Sequence, residues 1–153
     1  MRFEPQATAH FGFFAPRDGD DMTMNASIDV IAGFRINDYL RIGAGSGYEI
    51  GKFEFSDRYA HGTANAYAIP VLADLKVNMA PSSFVSPFIN FTGGYSFNVS
   101  NDEYLDAKSG YRATVSLGVD IFNIVLGAHY TVHDWGCSIP NQIIGVSVGV
   151  CFR

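Results

Sequence analysis

In the stretch NASIDVIAGFRI, residues 25–36, every even position is apolar (Ala26, Ile28, Val30, Ala32, Phe34, Ile36), while Ser27, Asp29, Gly33 and Arg35 stand among the odd ones. A period of two sends the two sets to opposite faces of an extended strand. The same alternation occurs eight times along the chain. EPQATAHFGFF sets Ala7, Ala9, Phe11 and Phe13 against Gln6, Thr8, His10 and Gly12. LRIGAGSGYEI and YAIPVLADLKVN follow, then SPFINFTGGYSFN, YRATVSLGVDI, IVLGAHYTVH and IGVSVGVCF. YRATVSLGVDI is the cleanest, with Tyr111, Ala113, Val115, Leu117, Val119 and Ile121 facing away from Arg112, Thr114, Ser116, Gly118 and Asp120. No segment carries a helical period. Pro70 lacks a ladder donor, which predicts a bulge in the fourth strand.

The connections alternate as well. NDY, NMAPSS and FN are short, whereas APRDGDDMTM, GKFEFSDRYAHGTA, VSNDEYLDAKS and DWGCSIPNQ are long, so short and long ends belong to opposite rims. Eight antiparallel strands joined in sequence close into an up-and-down barrel that leaves no open edge, with both termini at the short-turn rim. The 153 residues suit one such domain, 1–153.

Alternation alone fits a soluble barrel with an apolar interior, of the lipocalin kind, and a membrane barrel with an apolar exterior. Three features favour the second. The polar parity is crowded with glycine (Gly43, Gly45, Gly47, Gly94, Gly118, Gly127, Gly145, Gly149), which serves no purpose on a wet surface but leaves room for long neighbours in a narrow lumen. Its charges balance, with Asp29, Glu49, Asp74 and Asp120 against Arg35, Arg41, Lys76 and Arg112, as enclosed charges must. Aromatics of the apolar parity gather near strand ends: Phe11, Phe13, Tyr48, Tyr67, Tyr95, Phe97, Tyr111 and Tyr130 at one rim, Phe34 and Phe152 at the other. Those are girdle positions at a lipid and water boundary. Each segment also has the roughly 9 to 12 residues that a tilted strand needs to cross the hydrocarbon layer. The expectation is an all-β, eight-stranded antiparallel transmembrane barrel with a polar, plugged lumen.

Composition removes other classes. No apolar run approaches the roughly 18 to 20 residues of a membrane-spanning helix. The start MRFEPQATAH does not have the charged and apolar regions of a signal peptide. A net charge of −5 without a Lys/Arg cluster argues against nucleic acid. Cys137 and Cys151 form no CxxC pair and sit near opposite rims, too far apart axially for a disulfide, so two free thiols are expected.

YAIPVLADLKVN, SPFINFTGGYSF and the terminal GVSVGVCFR carry a resemblance over essentially the whole chain. The sequence resembles the small eight-stranded outer-membrane barrels of Gram-negative bacteria, the group of outer-membrane protein X and the membrane domain of outer-membrane protein A. The resemblance implies a bilayer rich in lipopolysaccharide, periplasmic termini and extracellular long loops. It also implies that the final aromatic, Phe152, here followed by Arg153, is read by the barrel-insertion machinery. Family members anchor, adhere, form narrow channels or edit lipid A, so fold does not give function.

AHYTVHDWG holds the only arrangement suggestive of catalysis. It resembles the His-aromatic-Ser-Asn stretch of outer-membrane lipid A deacylases, with Thr131 in place of Ser and Val132 in place of Asn. His129, Thr131 and His133 fall on the lumen parity, away from a lipid substrate, so no catalytic residue is expected. His10, His129 and His133 supply no metal-ligand spacing, so neither metal nor cofactor is expected. RDGDD lacks the EF-hand register and reads as a solvated acidic loop, with weak Ca²⁺ bridging to lipopolysaccharide as the sharper reading. Phe53, Phe55, Tyr59 and Trp135 fit either a ligand-binding lip or, better, strands extended beyond the membrane, the shifted alternation in GKFEF implying a bulge. The expected role is a monomeric structural or surface-interaction barrel without catalysis. The alternatives are a lipid A deacylase, a loop-mediated adhesin, and a soluble ligand carrier.

Overall fold

A computed structural model describes residues 1–14, 21–57, 60–100, 108–134 and 141–152. Its elements are β1 (Arg2–Phe3), β2 (Gln6–Phe14), β3 (Asp21–Arg35), β4 (Leu40–Asp57), β5 (Ala60–Asn78), β6 (Val85–Asn98), β7 (Gly110–Ile121), β8 (Ile124–His133) and β9 (Asn141–Cys151). Each of β2 to β9 pairs antiparallel with its sequence neighbour, and β2 pairs with β9, so eight strands close into an up-and-down barrel. The two-residue β1 continues the line of β2 along β3, the chain being interrupted at Glu4 and Pro5. Both chain ends lie at the short-turn rim, where Phe152 N donates to Pro5 O and Cys151 N to Asn123 O.

Two expectations about strand irregularity need correction. Pro70 produces no bulge: pairing between β4 and β5 is interrupted between Ser46↔Val71 and Glu49↔Ala68, but the register does not change across the gap. A missing N–H toward one neighbour is tolerated because pairing with β6 stays complete through Pro70↔Ser96, and Ser46 Oγ donates to the Pro70 carbonyl at 2.8 Å. The segment GKFEFSDRYAHGTA is not a long loop. β4 and β5 pair out to Asp57↔Ala60 in one register, so the bulge expected in GKFEF is absent from β4; a register shift against β4 lies instead in β3, between Met22 and Met24. The side chains of Phe53 and Phe55, and all of Arg17 to Asp20, Tyr59, Trp135, Cys137 and Arg153, lie outside what is described.

The barrel is inverted relative to a water-soluble one. Val115 and Leu117 are 38% and 56% exposed on the outside, while Arg112 and Asp120 are 3% and 1% exposed within. The same division holds along the other strands: Ile28, Val30, Leu75, Val146 and Val148 point out, and Ser27, Asp29, Lys76 and Ser147 point in. A soluble carrier would hide the first set and wet the second, so that alternative does not describe this chain. The expected girdle aromatics Phe11, Phe13, Phe34, Tyr48, Tyr95, Phe97, Tyr111, Tyr130 and Phe152 are exposed. Several pair, with Tyr48 and Tyr67 ring centroids 6.0 Å apart and Tyr95 and Phe97 5.1 Å apart.

Lumen glycines accommodate long side chains. A Cβ at Gly33 would lie 2.9 Å from Arg41 Cδ, and one at Gly45 2.8 Å from Ile31 Cδ1. Ile31, Leu72, Phe88, Val125 and Ile143 fill the remaining interior as an apolar minority.

Candidate functional site: the charged lumen

Alternation aims one residue in two from each strand at the axis, so side chains distant in sequence meet there. Next to the short turns, Arg35 at the end of β3 grips Glu4 with Nε and Nη2, at 2.6 and 2.7 Å. Arg41 at the start of β4 donates Nη2 to Asp74 at 2.7 Å and Nη1 to Gln6 Oε1 at 2.6 Å. Lys76 donates to Asp120 at 2.7 Å and to the same Gln6 oxygen at 3.2 Å, and stands 4.2 Å over the Phe88 ring. Asn78 occupies the other Asp120 oxygen at 2.8 Å, and Cys151 Sγ lies 3.1 Å from Glu4 Oε1. Cys151 is thus a buried free thiol.

Toward the long connections the hub is Arg112. Its Nη1 and Nη2 both reach Asp29 at 2.9 Å, Nη2 also reaches Ser27 Oγ at 3.1 Å, and Nε is 3.9 Å from Glu49 Oε2. Each of the two carboxylates also has an imidazole beside it: His10 Nε2 is 3.2 Å from Asp29, and His133 Nδ1 is 3.0 Å from Glu49. Asn25 donates to Glu49 at 2.7 Å. Thr131 is hydrogen-bonded to Thr114 at 2.8 Å, and the His129 ring meets His10 edge to face, centroids 4.9 Å apart.

All eight charged residues named from the sequence point inward, in two groups: Arg35, Arg41, Asp74, Lys76 and Asp120 below, Asp29, Glu49 and Arg112 above. Sequence reasoning left out Glu4 and Gln6 as members. Glu4 lies two residues before Gln6 on the same parity, a signal that extends the alternation past Pro5. With Glu4 included, the described lumen holds five carboxylates and four permanent cations. His129, Thr131 and His133 are 4%, 3% and 0% exposed, and the structure does not assemble them as nucleophile and base: Thr131 bonds Thr114, and His133 faces Glu49. Among the described residues, no three His, Cys, Asp or Glu side chains converge as a metal-binding group.

An apolar exterior around a polar, ion-paired axis defines a class, the β-barrel built inside out. No protein-family model and no curated protein matches the sequence. Solved structures do share the fold. The chain is similar to the outer membrane enzyme PagL, with 11% identity, TM-score 0.59, and 95% of this chain and 98% of that one covered. It is similar to the outer membrane protein OprG from Pseudomonas aeruginosa, with 9% identity, TM-score 0.59, and 99% and 96% covered. It is also similar to Neisserial surface protein A, with 18% identity, TM-score 0.54, and 98% and 97% covered. At these identities the likeness is one of fold, that of the small eight-stranded outer-membrane barrels.

Proposed function

We propose that the chain is an integral outer-membrane barrel of a Gram-negative bacterium, one domain over residues 1–153, monomeric, closed to solutes and without catalysis. Its role is structural or lies in surface contacts made by the connections opposite the termini. The observation that carries this reading is the inverted barrel: a continuous apolar exterior that only acyl chains would solvate, around charges that only each other can neutralise. The short-turn rim with both termini would then face the periplasm, the other rim the lipopolysaccharide leaflet and any extracellular ligand. Phe152, exposed at the end of β9, would present the insertion signal. Eight strands leave an interior that side chains fill, and this one is filled, which supports a plug over a pore. A deacylase role would require His129 and Thr131 to reach a lipid ester from inside the wall, and both are buried in the lumen.

The test is refolding into detergent and liposomes. The folded chain should migrate differently on gels with and without boiling, and liposomes containing it should show no ion conductance above protein-free controls. A chain that stays soluble and monomeric without detergent would refute the membrane assignment, and steady single-channel currents would refute the plug.

A further inference from the structure

The hairpin between β7 and β8 turns on two residues, Phe122 and Asn123, between the paired Ile121 and Ile124. Among the described non-glycine residues, Phe122 is the one with a positive φ, 53°. A two-residue loop that needs a positive φ at its first position ordinarily places glycine or asparagine there, because a larger side chain brings its Cβ against the following carbonyl oxygen. Asparagine comes next in this chain, at 123, so the order Phe-Asn puts the bulky residue in the unfavourable place. Burial does not offset that strain, since Phe122 is 65% exposed. Its ring meets Phe84, itself 63% exposed, edge to face with centroids 4.2 Å apart.

Phe84 immediately precedes β6, and Val85 pairs with Ile121 across β6 and β7, so two neighbouring short turns present one aromatic pair at the rim that holds the chain ends. The pair adjoins the apolar exterior, its neighbours Val85 and Ile124 being exposed as well. A strained residue whose side chain is left in the open points to a contact made outside the chain. Aromatic rings at the margin of a lipid-facing wall fit the boundary between headgroups and acyl chains. We propose that Phe84 and Phe122 wedge the short-turn rim into that boundary, in the phospholipid leaflet beside the termini, so that these turns are immersed instead of standing in water. The proposal rests on the membrane reading above and extends it from the strand wall to the turns. Strand alternation offers no sign of the pair, because both residues lie outside the strands.

Trp135→Phe combined with Phe122→Trp leaves a single indole, at position 122. This chain is refolded into phosphatidylcholine liposomes whose acyl chains are brominated either near the headgroup or near the chain end. The shallow label should quench the indole more than the deep one, and Val115→Trp in the same Trp135→Phe background, halfway along β7, should show the reverse order. Phe122→Gly relieves the backbone yet should weaken the folding equilibrium in liposomes by about tenfold, because the ring loses its lipid contact. An indole at 122 that the shallow label does not quench the more would put the turn in water or against a protein partner and overturn the anchor. So would a Phe122→Gly chain that folds as well as the unsubstituted one or better. If the indole at 115 is also unquenched, or the chain does not fold into liposomes, the membrane reading itself fails, and the anchor with it.

Discussion

The half of the lumen beside the short turns and the half beside the long connections use similar residue types, but they differ in how completely they close their hydrogen bonds. Below, Arg35, Arg41 and Lys76 each meet a carboxylate at 2.6 to 2.7 Å, and Gln6 Oε1 joins the Arg41 and Lys76 clusters by accepting from both. Arg41 Nε and Oδ1 of Asn90, which pairs with Lys76 across β5 and β6, are the unpartnered atoms of that half among the described residues. Above, one guanidinium serves Asp29 and Glu49, and Arg112 Nε, His10 Nδ1, His129 Nδ1, Ser96 Oγ and Ser147 Oγ are buried without a hydrogen-bond partner. An unmade buried hydrogen bond costs about 1–3 kcal/mol, so the lower half reads as the clamp of the barrel and the upper half as the part held below its possible stability.

The sharpest way to break that contrast is to remove a cation from the clamp. Lys76→Met should destabilise the folded barrel by about 3–5 kcal/mol, because it breaks the buried Lys76–Asp120 pair from one side and takes away one of the two donors to Gln6 Oε1. Denaturant unfolding in detergent micelles measures it. Pairing the change with Asp120→Leu should recover most of the loss, since a buried pair replaced together by apolar groups is often neutral. A cost below about 1 kcal/mol for the single change would mean that water reaches the lower lumen.

Arg112→Met tests the other half and should cost less, about 1–3 kcal/mol. Asp29 keeps the His10 imidazole at 3.2 Å, and Glu49 keeps the His133 imidazole at 3.0 Å and the Asn25 amide at 2.7 Å, so each carboxylate retains a basic ring beside it, where Asp120 retains the neutral Asn78 amide. The readout is the melting temperature in the same micelles. If the Arg112 variant melts lower than the Lys76 variant, the clamp is at the long-connection end and the assignment of the two halves is reversed. An unchanged melting temperature would remove the Arg112 contacts from the account of stability.

The same two halves differ in how far the sequence disclosed them. Parity assigned Asp29, Glu49, Asp74, Lys76, Arg112 and Asp120 to one face, because a period of two is a property of each strand by itself. Who meets whom is a property of the closed ring. Gln6 joins Arg41, 35 residues away, and Lys76, 70 residues away, and nothing local to any of the three foretells it. Glu4 lay beyond an alternation that Pro5 interrupts, and the tall β4–β5 hairpin was hidden because GKFEF changes parity. β4 itself keeps one register with β5 through that stretch, and the irregularity against β4 lies in β3, between Met22 and Met24. A missing donor at Pro70 predicts a bulge. What the sequence could not show was that β6 would hold the register while the ladder to β4 alone lost its pairs. The contact of the His10 and His129 rings was illegible for the same reason as the Gln6 link, the two being brought together across β9.

The finest distinction between the halves concerns neutral groups. Thr131 and Thr114 bond each other at 2.8 Å across β8 and β7, and both are buried in the upper lumen. Thr131→Val keeps the shape and leaves the Thr114 hydroxyl without this partner, so it should cost about 1 kcal/mol. Thr114→Val together with Thr131→Val should cost less than the two single changes added, since the double change leaves neither hydroxyl stranded. A double-mutant cycle of unfolding free energies in micelles reads the coupling. Strictly additive costs would mean that each hydroxyl finds water when its partner is removed. The upper lumen would then be already wet, and the Nδ1 atoms of His10 and His129 and the Ser147 hydroxyl would be hydrated instead of forming an under-satisfied half of a dry plug.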